Sequence, residues 1–133
     1  HLTGGYSEEK AKEDEYLVHF GGNGYTPIDR VVDYALLRSA EVTIEKGYRY
    51  FQLVDDKYER IPKSNDTGYS TVIVFLPYAS NRIKFFQDKP NIEGQKIYEA
   101  QEVIDQLQQK YNLLHKENAQ PTAEYRVNTA SKP

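Results

Sequence analysis

The run Gly21-Gly22-Asn23-Gly24, with Thr26 and Pro27 just beyond it, is the part of this chain best suited to hold an anion. Three glycines leave the backbone free to turn its N–H groups toward a ligand. A helix starting at Pro27 would add the positive end of its dipole. Gly22, Asn23, Gly24 and Thr26 are therefore candidate ligand-binding residues. The pattern is neither G-x-G-x-x-G nor a P-loop, and the Lys-Ser/Thr pair that grips a nucleotide phosphate is missing. The plain alternative is a tight turn that needs positive φ.

Arg38 and Glu41 form a second candidate, with Asp33 and Tyr34 a helical turn earlier. Three residues apart on a helix, they make either an ordinary charged face or a partly buried polar network at the sheet edge. The three histidines, His1, His19 and His115, stand at no metal-ligand spacing to another His, Asp or Glu. Asp55, Asp56 and Glu59 lack the spacing of a calcium loop, so no metal is expected. Without cysteine there is no thiolate nucleophile, disulfide or zinc-thiolate site. No Ser, His and acid fall into a recognisable catalytic motif, so no catalytic residue and no cofactor is expected.

These candidates must be positioned by one domain with tails, since the chain has 133 residues. The net charge of −3 and a pI near 5.6, with Lys and Arg scattered among acids, argue against nucleic acid as a partner. The mildly basic stretch from Arg82 to Lys96 reads as a solvated face. No apolar run reaches the ~18 residues of a membrane span. Methionine is absent even at position 1, which fits a chain trimmed of a leader.

Hydrophobic spacing sets the expected elements. Residues 1–14 are polar and acidic and read as an extended or disordered lead-in. Tyr16, Val18 and Phe20 alternate with Leu17 and His19 as a short strand. Thr26 as cap, Pro27 at the first position and Gly47 at the end delimit a helix of about residues 27–46. Its expected buried stripe is Ile28, Val32, Leu36, Ala40 and Ile44. A second strand runs from Tyr48 to about Tyr58, and Asp55 to Thr67 reads as a polar connection whose first part either prolongs that strand or leaves it. Tyr69 to Leu76 is β-branched and apolar and predicts a central third strand, stopped by Pro77. Ser80-Asn81 reads as a turn before a fourth strand, Arg82 to Phe86. Ile97 to about Leu114 predicts a second helix, and residues 115–133 a polar tail.

The expected fold is a two-layer α+β domain over residues 15–114, in the order β-α-β-β-β-α. It has a three- to four-stranded, mostly antiparallel sheet, a long helix on one face and a C-terminal helix.

The motifs Gly4-Gly5-Tyr6-Ser7, Tyr16-x-Val18-x-Phe20, Gly22-Asn23-Gly24 and Asp33-Tyr34-Ala35-Leu36-Leu37-Arg38-Ser39-Ala40-Glu41 occur in that order. Gly47-Tyr48-x-x-Phe51, Lys89-Pro90 and Ile97-Tyr98-Glu99-Ala100-x-Glu102-Val103-Ile104 follow. Together they resemble a family of small proteobacterial proteins regarded as lipoproteins and without an assigned activity. Ser39 stands where that family tends to have alanine. The resemblance implies a location in the bacterial cell envelope, on the periplasmic side. It also implies an acylated cysteine upstream of His1 as the only link to the membrane. It carries over no catalytic residue. The expected function is thus a non-enzymatic envelope domain that binds an envelope protein or a cell-wall component. The alternative is a small-ligand or anion-binding domain, conceivably an enzyme, built on the Gly21–Gly24 turn.

Overall fold

The structure is a computed structural model that describes residues 5–119 and, among them, the side chains of residues 6–112. Its elements are β1 (Gly5–Lys12), β2 (Glu15–Gly21), α1 (Ile28–Glu45), β3 (Tyr50–Asp66), β4 (Thr71–Phe86), β5 (Lys96–Glu99) and α2 (Ala100–Ala119). The five strands form one antiparallel sheet in the order β1-β2-β4-β3-β5. The fold is α+β. Both β2 and β3 run antiparallel to β4, so they are parallel to each other, with β4 inserted between them.

Alternation decides which face of the sheet is covered. Val18 and Phe20 on β2, Phe51 on β3, and Ala79, Ile83 and Phe85 on β4 all point to one buried face. Val31, Ala35, Ala40 and Val42 of α1 close over it, and Ala100 and Val103 of α2 complete the core. The opposite face carries Glu15, His19, Ser80 and Arg82 toward solvent, as one-sided antiparallel sheets do.

Several features differ from the sequence-based expectation. Residues 5–12 are not a separate lead-in; they pair along the whole of β2 as an edge strand. Lys96–Glu99 begins as β5 rather than as helix, and α2 starts at Ala100.

Tyr69–Leu76 and Arg82–Phe86 are one strand. Pro77 does not stop it, because of where its missing N–H would point. The Pro77 carbonyl accepts from Gly22 N–H, and the Phe85 amide donates to the Asp14 carbonyl. Odd-numbered residues of β4 therefore turn their backbone groups away from β3, so proline there removes no β3–β4 bond. The same holds for Pro62, which lies opposite Phe75. Ser80-Asn81 is strand rather than turn, and Asn81 is buried.

The buried residues of α1 are Val31, Ala35, Ser39, Ala40, Val42 and Thr43. Of the expected stripe Ala40 is fully buried, and the centre of the buried face lies one residue round the helix from it. Small residues face the sheet and let the helix approach it. Leu36 packs from the flank, and Ile44 is exposed. The helix also starts one residue late. Pro27 is the N-cap, with ψ 148°, and Thr26 gives it no side-chain cap. At the other end Gly47 (φ +89°) is the left-handed residue that glycine tolerates. Tyr48 N–H donates to Thr43 O and Gly47 N–H to Ile44 O, which closes a Schellman motif. The expected tail from residue 115 includes the last turns of α2; residues 120–133 lie outside the described residues.

Candidate functional site

The glycine turn satisfies itself. Gly22 N–H donates to the Pro77 carbonyl, and Thr26 N–H to the Asn23 carbonyl. Asn23 N–H donates to Thr26 Oγ1 (3.1 Å), Tyr25 N–H to Asn23 Oδ1 (2.8 Å), and the Thr26 hydroxyl to Asn23 Oδ1 (2.9 Å). A Cβ on Gly22 would sit 2.7 Å from Thr26 Cβ, so close packing requires glycine there. Gly24 lies against Val74 of β4. The amides of Gly22, Asn23, Tyr25 and Thr26 that an anion would need are already donated. The turn is a closed Asx-type connection that delivers the chain from β2 to α1.

Arg38 and Glu41 are brought together with Glu45 of the same helix face and with Glu8 of β1, a partner that spacing within the helix did not reveal. The Arg38 guanidinium forks onto Glu8 of β1, with Nε to Oε1 at 3.1 Å and Nη2 to Oε2 at 2.9 Å. Its Nη1 reaches Glu45 at 2.9 Å and Glu41 at 3.4 Å, and the group lies over the Tyr6 ring at 4.6 Å. Burial works against the charge, but the carboxylates of Glu45 and Glu8 outweigh it and raise the Arg38 pKa above its usual value. With its donors turned onto carboxylates of its own chain, this is a clamp that holds the edge strand to α1.

Two further clusters were not anticipated. Lys110 and Tyr111 of α2 both reach Asp33 Oδ2, the tyrosine hydroxyl at 2.6 Å, and tie the helices together. On the solvent face of the sheet, a cleft of about 310 Å³ is lined by Ser7, His19, Gly21, Gly22, Leu76 and Tyr78. There His19 Nδ1 and Ser80 Oγ share a hydrogen bond of 2.8 Å, and His19 Nε2 lies 3.9 Å from Glu9 Oε1. The residue types match a nucleophile, base and acid. Of the two glycines at the cleft, Gly22 already gives its amide to the Pro77 carbonyl and Gly21 lies opposite Gly5 in the β1–β2 ladder, so neither amide is set apart as an oxyanion donor. Alternation in β2 and β4 carries the signal for this cluster, but pairing His19 with Ser80 needs the register, which the sequence does not state.

The most unusual feature is an arm. β2 pairs with β4 only as far as Tyr78, and β5 pairs with β3 only over residues 50–53. Beyond that, and beyond the Gly22 N–H bond to the Pro77 carbonyl, Ile61–Asp66 and Thr71–Leu76 pair with each other alone, as a two-stranded ribbon ~20 Å long. Its tip is the Thr67–Ser70 turn, with Gly68 at φ +91° and Tyr69 99 % exposed. Pro62, Ser64, Ile73 and Phe75 share one face, and Ile61, Lys63, Val72 and Val74 the other. Ile73 is 60 % and Phe75 53 % exposed, and Tyr58 at the base is 51 % exposed. The apolar run that predicts a buried central strand is therefore displayed to solvent over its outer half.

No protein-family model, curated protein or solved structure matches this chain.

Proposed function

We propose that this chain is a non-enzymatic binding domain of the bacterial cell envelope, and that the β3–β4 arm is the element by which it engages a protein partner. The arm carries this reading. Isolated two-stranded ribbons are marginal in water, and apolar side chains on one add nothing to the core. Burying the exposed parts of Tyr58, Ile73 and Phe75 against a partner would contribute on the order of 3–5 kcal/mol. A protein surface suits these side chains better than a cell-wall glycan, because the run Thr71–Leu76 offers no hydroxyl-rich or charged groups beyond Thr71. The rest of the molecule gives the arm a rigid base.

The envelope location, with a lipid upstream of His1 as the tether, is supported by the resemblance of the Gly22–Gly24, Asp33–Glu41 and Ile97–Ile104 motifs. Palmitate labelling of the full-length gene product with membrane fractionation checks it: labelled protein in the membrane fraction is expected, and unlabelled soluble protein would sink it.

Docking is tested by placing a photo-crosslinking amino acid at Phe75 or Tyr69 in cells. Tyr25, 96 % exposed but off the arm, is the control. Discrete protein adducts from the arm positions and none from Tyr25 are expected. Equal adducts from all three, or none, would remove the arm from the function.

A further inference from the structure

The two edges of the arm are not alike. The free edge of β3 runs through Arg60, Lys63 and Asp66 and holds Pro62, whose missing N–H faces outward. Charge and proline are the usual means of keeping a sheet edge from recruiting another strand. The free edge of β4 has neither over Thr71-Val72-Ile73-Val74-Phe75-Leu76. By the alternation that Pro77 and Phe85 establish, the backbone groups of Thr71, Ile73 and Phe75 point outward. They have no backbone partner among the described residues. Such an edge is a template for strand addition.

We infer that this edge pairs antiparallel with the same edge of a second copy of the chain, giving a two-fold dimer joined through the arms. The inference rests on the arm being a docking element and names its partner. The other edges of the described sheet are poor matches. The β1 edge carries Glu8, Glu9, Lys10 and Lys12 and a register shift after Lys10, and β5 has only four residues. An uncharged strand meets least repulsion and best packing against another uncharged β-branched strand, and β4 is the one free edge of that kind among the described residues. In a register centred on Ile73, each Ile73 exchanges both main-chain bonds with its counterpart. Thr71 then lies opposite Phe75 of the second copy, and Val72 opposite Val74. Gly24, packed against Val74, abuts the inner end of the edge and limits how far an added strand can run.

The test is the mass of the full chain in solution by light scattering, at concentrations up to several hundred micromolar. A mass near twice 15.4 kDa is expected. Ile73→Pro removes an outward N–H without touching the β3 ladder, and Ile73→Lys sets two like charges on the axis; either should return the monomer mass with an unchanged circular dichroism spectrum. Ser64→Pro, the equivalent change on the β3 edge opposite Ile73, should leave the dimer intact. A monomeric wild type, a dimer that survives both folded Ile73 variants, or a dimer lost equally in Ser64→Pro would overturn the inference. A monomeric chain whose arm still crosslinks to a different protein sinks self-pairing and spares the docking reading. A monomeric chain without arm crosslinks sinks both.

Discussion

Ser39 illustrates how a single buried hydroxyl is tied to the sheet. It is fully buried, accepts from Asn81 Nδ2 at 3.2 Å and donates to the Ala35 carbonyl at 2.8 Å. Ser39→Ala should leave the Asn81 amide without its partner under α1 and lower stability by about 1–3 kcal/mol. Adding Asn81→Leu should restore most of the loss, because no polar group is then stranded. Urea unfolding of the single and double variants checks both, and a double variant weaker than either single would sink the account. The residue was visible in the sequence as a small polar side chain within a helix. Its partner was not, because Asn81 next to Ser80 reads as a turn until the strand is seen to continue.

Tyr111 gives a pH dependence with a definite sign. Burial, then its hydrogen bond to Asp33, raises its pKa well above the ordinary tyrosine value of about 10. Burial raises that of Tyr34 as well. A raised folded-state pKa adds stability that is complete below the unfolded tyrosine value and lost as pH climbs through the folded one. Stability should therefore fall above about pH 10, and Tyr111→Phe should make that fall shallower. Urea midpoints between about pH 8 and pH 11.5 measure it, and an equally steep fall in both proteins would refute the assignment.

At the level of elements, β1 is held by its pairing with β2 and by the Arg38 clamp that ties it to α1. Arg38→Ala removes the fork onto Glu8 and leaves the carboxylates of Glu8, Glu41 and Glu45 without their shared cation. Amide exchange across residues 6–11 should accelerate on the order of tenfold, while the centre of α1 stays protected. Uniform acceleration throughout the chain would mean that the clamp stabilises the whole fold rather than its edge. The helices and the strand Tyr16–Phe20 were legible because apolar spacing and glycine punctuation are local signals. Gly47 marks the end of α1 through its own backbone. The lead-in was illegible because a polar edge strand needs only one apolar neighbour face, and Tyr6-x-Glu8 offers a clamp instead of a stripe. Pro77 and Pro62 misled because the side to which a strand residue directs its N–H depends on its neighbours.

At the level of the whole molecule, core and arm are separable. Every buried hydrophobic residue of the core lies outside residues 54–76. Replacing Ile61–Leu76 by a short hairpin turn should change unfolding stability by no more than about 1 kcal/mol, while the arm crosslinks and the dimer mass disappear. A large loss of stability, read from thermal unfolding, would show that the ribbon braces the body. Which residues would be displayed was not legible. Thr71–Phe75 has the composition of a buried strand, and its exposure follows from β2 ending at Gly21, a fact of pairing length rather than of residue type.

The insertion of β4 between β2 and β3 also has a consequence in time. A chain emerging amino end first presents β1, β2, α1 and β3 while the strand that joins β2 to β3 is still missing. Before Phe86 has emerged, the central ladders cannot be completed. Closure then depends on contacts between residues more than sixty positions apart, such as Leu17 with Arg82. Folding should consequently be a single late event on the millisecond-to-second scale of topologies rich in distant pairings. A nascent chain halted before β4 would remain open to proteases and chaperones along its whole length.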